Sequence, residues 1–78
     1  MKYLVVELQT FENGNMSTPA YSYDDRLSAE AKYYSILSAA TKSALPVHAC
    51  VLMTNDGRPL MNHCYMHEVE PVEQETTE

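Results

Sequence analysis

Two short turn sequences constrain the fold of this chain more than any other feature. Asn13-Gly14 and Asp56-Gly57 each lie between two runs of residues that are typical of β-strands. Asn-Gly and Asp-Gly are the strongest short hairpin signals, because both central residues of the tightest hairpin turn take positive φ. The sequence therefore predicts two β-hairpins, one within residues 2–23 and one within residues 47–67.

A two-residue turn at each dipeptide determines which side chains share a face of the sheet. In the first hairpin this turn pairs Val6 with Tyr21, and in the second it pairs Cys50 with His63. The predicted core face of the first hairpin consists of Leu4, Val6, Leu8, Tyr21 and Tyr23. The more apolar face of the second hairpin, predicted to meet the helix, consists of Val47, Ala49, Val51, Met53, Leu60, Asn62, Cys64 and Met66.

A helix is predicted between the hairpins, over residues 25–45. Asp24-Asp25 supplies the N-cap, and Pro46 disfavours helical geometry at the residue before it. One apolar stripe at helical spacing should face the sheet: Ala29, Tyr33, Ile36, Leu37, Ala40 and Ala44. A second set, Leu27, Ala31 and Tyr34, lies off this stripe, so it either packs against a loop or the helix flank or belongs to a partner surface.

These elements predict an α+β fold with two layers and the order ββαββ. We expect a four-stranded, mostly antiparallel sheet with the single helix packed on one face. Residues 1–67 form the predicted domain, and residues 68–78 form an acidic tail that is expected to be disordered. The helix leaves the other sheet face open, and we predict that this open face carries His48, Cys50, Leu52, Met61, His63 and Tyr65.

Charge excludes several classes of function. The chain of 78 residues has a formal net charge of −6, but residues 1–67 hold six acidic and five basic residues, so the tail carries the excess. A binder of the nucleic-acid backbone or of an anionic membrane needs a basic face, so neither partner is expected. An acidic inhibitor that mimics nucleic acid remains an alternative. The sequence shows no signal peptide or membrane span, and two cysteines without an export signal suggest reduced thiols in a cytoplasm.

Histidine and cysteine side chains on the predicted open face raise two chemical possibilities. His48, Cys50 and His63 are candidate ligands for a small zinc-binding module, although His63 and His67 lie about 13 Å apart in a strand. Cys50 beside His63 could form a nucleophilic pair, but catalysis also needs an orienting group and an oxyanion site. The alternative is a set of polar side chains on a half-exposed sheet. We predict no enzyme activity and no cofactor.

The same face suggests contact with another protein. Met adapts to irregular surfaces and Tyr is enriched at interfaces. The predicted interaction surface consists of Leu52, Met61, His63 and Tyr65, together with Leu27 and Tyr34 on the helix. A protein partner or a second copy of the chain should cover it.

Two segments resemble small uncharacterised proteins carried by phages and prophages of Gram-positive (Firmicutes-type) bacteria. They are YDDRLSAEAKYYSILSAA and ALPVHACVLMTNDGRPLMNHCYMHEVEP, followed by the acidic tail. The resemblance covers residues 21–71 and carries no catalytic or binding residue over. It implies a phage accessory protein that acts through protein contacts, in particle assembly or against a host factor. Such a protein would be located in the bacterial cytoplasm or in the virion.

Overall fold

The structure is a computed structural model that describes residues 1–67 and confirms the α+β layout. Its elements are β1 (Tyr3–Thr10), β2 (Met16–Ser17), β3 (Ala20–Tyr23), α1 (Arg26–Ala40), β4 (Val47–Thr54) and β5 (Pro59–Met66). The single strand predicted after the first turn is divided into β2 and β3. The predicted acidic tail, residues 68–78, lies outside the described residues.

The five strands form one antiparallel sheet. β1 and β4 are its two central strands, β5 borders β4, and β2 and β3 pair in succession along the other edge of β1. Pro19 lies between β2 and β3, and its carbonyl accepts a hydrogen bond from the Glu7 amide at 2.9 Å. Proline has no amide hydrogen to donate, so the sheet ladder is interrupted there and only an edge strand tolerates it.

The first hairpin has a three-residue loop, so the predicted register is wrong by one residue. The Phe11 amide donates to the Asn15 carbonyl at 2.8 Å, and the Gly14 amide donates to the Phe11 carbonyl at 2.9 Å. Gly14 takes a φ of 89°, which completes a type I turn followed by a left-handed residue. Val5, rather than Val6, therefore lies opposite Tyr21.

The second hairpin has the same kind of loop but keeps the predicted register over most of its length. The Thr54 amide donates to the Arg58 carbonyl at 2.9 Å, and Gly57 takes a φ of 90°. An extra residue in β5, Leu60, then shifts the pairing back between Met53 and Leu52. This β-bulge cancels the one-residue change made by the loop. Cys50 lies opposite His63, as predicted.

The helix begins as predicted and ends early. The Asp25 side chain accepts a hydrogen bond from the Ser28 amide at 2.9 Å, which satisfies one of the free amides of the first turn. The helix ends at Ala40, five residues before the predicted end. The Thr41 hydroxyl donates to the Ser38 carbonyl at 2.8 Å. The backbone amides of Lys42 and Ser43 donate to the carbonyls of Ala39 and Ala40, each at 3.2 Å, so the chain tightens into a turn before Pro46 is reached. Ala44 is exposed and lies outside the helix.

The helix covers the sheet face opposite to the predicted one. Its buried residues pack on Val5, Cys50 and Leu52, and the surrounding half-buried residues include Tyr21 and Met61. The predicted core face of the first hairpin (Leu4, Val6 and Leu8) and the predicted helix side of the second (Val47, Ala49, Val51 and Met53) therefore point away from the helix. The shifted register explains the first hairpin, because it aligns the tyrosines of β3 with Val5 and Tyr3 instead of with Leu4 and Val6. In the second hairpin the register is as predicted, and the helix packs on the less apolar of the two faces.

Candidate functional site: the uncovered sheet face

A buried polar pair lies beneath the helix, on the face that was predicted to be open. Nε2 of His48 lies 2.6 Å from Oε2 of Glu7, and both side chains are largely buried. Nε2 of the Gln9 side chain donates to the same Glu7 oxygen at 3.0 Å. Within residues 1–67, Nδ1 of His48 is buried without a hydrogen-bond partner. These polar side chains made the face look exposed in the sequence, but they satisfy most of one another's hydrogen bonds.

Cys50 lies directly opposite Glu7 on the neighbouring strand and is fully buried. Burial raises the pKa of the Cys50 thiol to about 11, and the Glu7 carboxylate adds to the increase. The thiolate is the nucleophilic and metal-binding form of cysteine. Cys50 therefore stays a protonated thiol near neutral pH, which disfavours the nucleophilic pair with His63.

The candidate zinc ligands do not come together. His48 is buried and bound to Glu7, whereas His63 is exposed on the edge strand and its ring packs edge-on against Tyr65 at 4.6 Å. Among residues 1–67, no group of three or more histidine, cysteine, aspartate or glutamate side chains is arranged to hold a metal ion. A structural zinc site needs four such ligands, so the alternative of a zinc-binding module finds no site among these residues.

The two cysteines should differ sharply in reactivity. Cys64 is exposed and Cys50 is buried. At pH 8 and a protein concentration below about 1 µM, we expect iodoacetamide to add one carbamidomethyl group to the folded protein, at Cys64, and two in denaturant. Cys50 should react at least about 100-fold more slowly, because its modification requires opening of the core. Peptide mass mapping over time measures both rates. A Cys64→Ser variant is the control, and rapid modification of its Cys50 would contradict the buried assignment.

The residues of the predicted interaction surface are scattered. Leu52 is fully buried under the helix and Met61 packs against the same core, so the expectation that they are exposed is wrong. His63 and Tyr65 lie on β5, and the Tyr65 ring is stacked with the His67 ring at 6.3 Å. They form a short aromatic row on the edge strand.

The two helix residues of that surface are exposed. Leu27 is 78% exposed and Tyr34 is 55% exposed, and Ala31 between them is exposed as well. Among residues 1–67 neither a loop nor a strand covers them, so the interpretation as packing against a helix flank is wrong. Leu27, Ala31 and Tyr34 form a narrow apolar stripe on the outer side of the molecule, which we call the helix stripe.

The larger surface is the sheet face that the helix does not cover, which we call the open face. It is formed by alternate residues of all five strands, and none of them is charged. By strand, they are Leu4, Val6, Leu8 and Thr10 of β1, Met16 of β2, Ala20 and Ser22 of β3, Val47, Ala49, Val51 and Met53 of β4, and Pro59, Asn62, Cys64 and Met66 of β5. The exposed face of an antiparallel sheet normally carries polar side chains, whereas this face carries uncharged and mostly apolar ones.

The open face is not flat. A shallow depression of about 410 Å³ lies at its centre, where the small side chain of Ala49 stands between larger neighbours such as Leu8 and Val51. Met16 and Met66 stand near the same end of the face, and they are 60% and 77% exposed. The face thus offers both a recess and projecting, flexible apolar side chains.

The sequence did contain a signal for this face, but the prediction interpreted it as the face that the helix covers. Every second residue from Leu4 to Leu8 and from Val47 to Met53 is apolar. The pattern identified the face correctly as apolar. It could not show that the helix packs on the other side.

The fold and the open face define a class of small two-layer α+β domain with one sheet face uncovered. No protein-family model matches the chain, and the searches of curated proteins and of solved structures found no match either. Within residues 1–67, no helix has both the length and the apolar character needed to cross a membrane.

Proposed function

We propose that this chain acts by protein–protein contact and not by catalysis, with the open face as its contact surface. The observation that carries the proposal is the absence of charge across the described face, from Leu4 on one central strand to Met53 on the other. Monomeric proteins rarely expose contiguous apolar patches beyond a few hundred Å², and larger ones mark interaction sites.

The setting that we propose is that of a phage or prophage accessory protein, in particle assembly or in binding a host factor. Its support is the resemblance of residues 21–71 to small phage and prophage proteins. The chemistry of the buried cluster is consistent with a non-catalytic role, because the raised pKa of Cys50 keeps the only buried thiol of the chain protonated.

Site-specific photocrosslinking in living cells tests the contact surface directly. Val51 is replaced by p-benzoylphenylalanine at the centre of the open face, and Ser35, exposed on the helix, is replaced in a matched control. We expect irradiation to give covalent protein adducts from position 51 and few from position 35. Mass spectrometry of the adduct then identifies the covering protein.

The outcome against the proposal is equally specific. If position 51 gives no protein adduct while the variant is folded and expressed at the level of the control, the open face is not a contact surface. Adducts of equal yield from both positions would indicate unspecific collisions and would also contradict the proposal.

A further inference from the structure

Electrostatics favours an uncharged surface as the occupant of the open face. Each chain carries a net charge of −6, and yet none of the open-face residues contributes to it. Like charges placed opposite each other in an interface would cost several kcal/mol. Two copies that meet through this face avoid that cost, because the face carries no charge. The segment 68–78, with its five glutamates, is a poor match for a face that offers no cation.

The dimensions of the face suit an interface between two copies. β1, β4 and β5 have eight residues each, which gives a length of about 27 Å at about 3.4 Å per residue. Four strand positions at about 4.8 Å give a width of about 19 Å. The flat footprint is then about 500 Å² per copy, or about 1,000 Å² for both, before the relief of the side chains is added. A specific interface should exceed about 1,000 Å² in total. The flat value equals this threshold, and the area of the projecting side chains adds to it.

The shape of the face allows a contact with a second copy of the same face, because one surface carries both a recess and projecting side chains. The recess at Ala49 and the projecting Met16 and Met66 lie on one surface, with Val47 between Ala49 and Met66 in the sheet. In a twofold arrangement each contact occurs twice, so Met66 of one copy can enter the recess of the other, beside the Met16 that lines it, and the same contact forms in return. Unbranched methionine side chains fill irregular gaps well.

From these three observations we infer that the occupant of the open face is a second copy of this chain. The two sheets stack face to face, about 10 Å apart, with the helices on the outside. This inference rests on the proposed function and deepens it by naming the partner. It places both helix stripes on the outer surface of the dimer.

Analytical ultracentrifugation of the full-length protein tests the inference. As the protein concentration rises from about 1 µM to about 1 mM, we expect the mass to rise from that of a monomer, 8.8 kDa, to twice that value. The dissociation constant then lies between these two concentrations, a range typical of small interfaces. Val51→Lys, at the centre of the face, should weaken dimerisation at least about 100-fold, because it places two unpaired charges in the interface.

A matched pair of variants distinguishes an effect on the dimer interface from an effect on folding. Met66 and Leu27 are almost equally exposed, at 77% and 78%, and they lie on opposite sides of the molecule. We expect Met66→Lys to weaken dimerisation at least about 10-fold and Leu27→Lys to leave it unchanged, with both variants as stable as the parent protein. If Val51→Lys fails to fold, this pair still decides the question.

Three results would overturn the inference: a monomer at every concentration, a dimer unaffected by Met66→Lys, or a dimer disrupted by Leu27→Lys instead.

The crosslinking experiment distinguishes failure of the dimer inference from failure of the proposed function. A monomeric purified protein that crosslinks at position 51 to a different protein removes the second copy as occupant but retains the contact surface. A monomer with no adduct removes both.

Discussion

Replacing Leu52 by alanine should lower the free energy of unfolding by about 3 kcal/mol, within the range of about 2–5 kcal/mol for such core substitutions. Leu52 is fully buried, and it lies on the central strand β4 directly opposite Val5 and Met61 of the neighbouring strands. The loss combines the apolar area returned to water with the cavity left beneath the helix. The free energy of unfolding of a domain of this size is only about 4–12 kcal/mol, so the substitution would remove a large part of it.

Urea or thermal unfolding followed by circular dichroism measures the change. Leu27→Ala is the matched control, because the same side chain is 78% exposed at the start of the helix. Its effect should stay within about 0.5 kcal/mol. If Leu52→Ala costs less than about 1 kcal/mol, or no more than the control, Leu52 is not in the core and the helix does not cover its face.

Removing the Glu7 carboxylate should cost about 3 kcal/mol of stability in a Glu7→Ala variant. The substitution removes the partner of His48, whose Nε2 lies 2.6 Å from Glu7 Oε2 and whose Nδ1 already lacks a partner among residues 1–67. The imidazole would then be buried with both ring nitrogens unsatisfied. An unsatisfied buried polar group costs its full desolvation energy, which exceeds the net value of the hydrogen bond itself.

The matched control for Glu7 is a glutamate in an exposed ion pair. Glu30 accepts a hydrogen bond from Arg26 Nε at 2.7 Å, one helical turn away, and the Arg26 side chain is half-exposed. Glu30→Ala should cost at most about 0.5 kcal/mol, because exposed pairs at this spacing contribute little. Equal losses for Glu7→Ala and Glu30→Ala would show that the Glu7–His48 pair is not buried.

A double substitution tests the coupling between the two side chains. Glu7→Leu with His48→Leu replaces both partners by apolar groups, which is often close to neutral even when removal of one partner is costly. The double variant should therefore be more stable than Glu7→Ala. Its loss of stability should also be smaller than the sum of the losses in the single variants Glu7→Leu and His48→Leu. Additive losses in unfolding experiments would mean that the two side chains do not interact.

Much of the fold could be predicted from local patterns. The Asn-Gly and Asp-Gly dipeptides indicated both hairpins, and the Asp25 cap marked the start of the helix. These features depend on residues close in the chain, where the preferences of glycine and of a capping carboxylate decide the geometry. The pairing of Cys50 with His63 was also predicted correctly, although the bulge at Leu60 was needed to compensate for the longer loop.

The candidate site was predicted only in part. The sequence indicated an apolar sheet surface for contact, but the predicted residues Leu52 and Met61 belong to the face beneath the helix. One extra loop residue at Gly14 shifts β3 by one residue against β1, so Tyr21 shares a face with Val5 and not with Val6. A short turn motif does not distinguish loops of two and three residues. In the second hairpin the register was predicted correctly, but the helix packs on the less apolar of its two faces, so Leu52 and Met61 lie on the helix side.

The sequence by itself determined the order of the elements, the two turns, the helix start and the fact that alternate residues of β1 and β4 are apolar. Only the tertiary structure decided which sheet face the helix covers. Both faces of β1 are apolar, Tyr3 and Val5 on one side and Leu4 and Val6 on the other, so local pattern cannot choose between them. The choice follows from packing across distant strands, where the tyrosines of β3 and the Glu7–His48 pair are enclosed together with Val5 and Leu52.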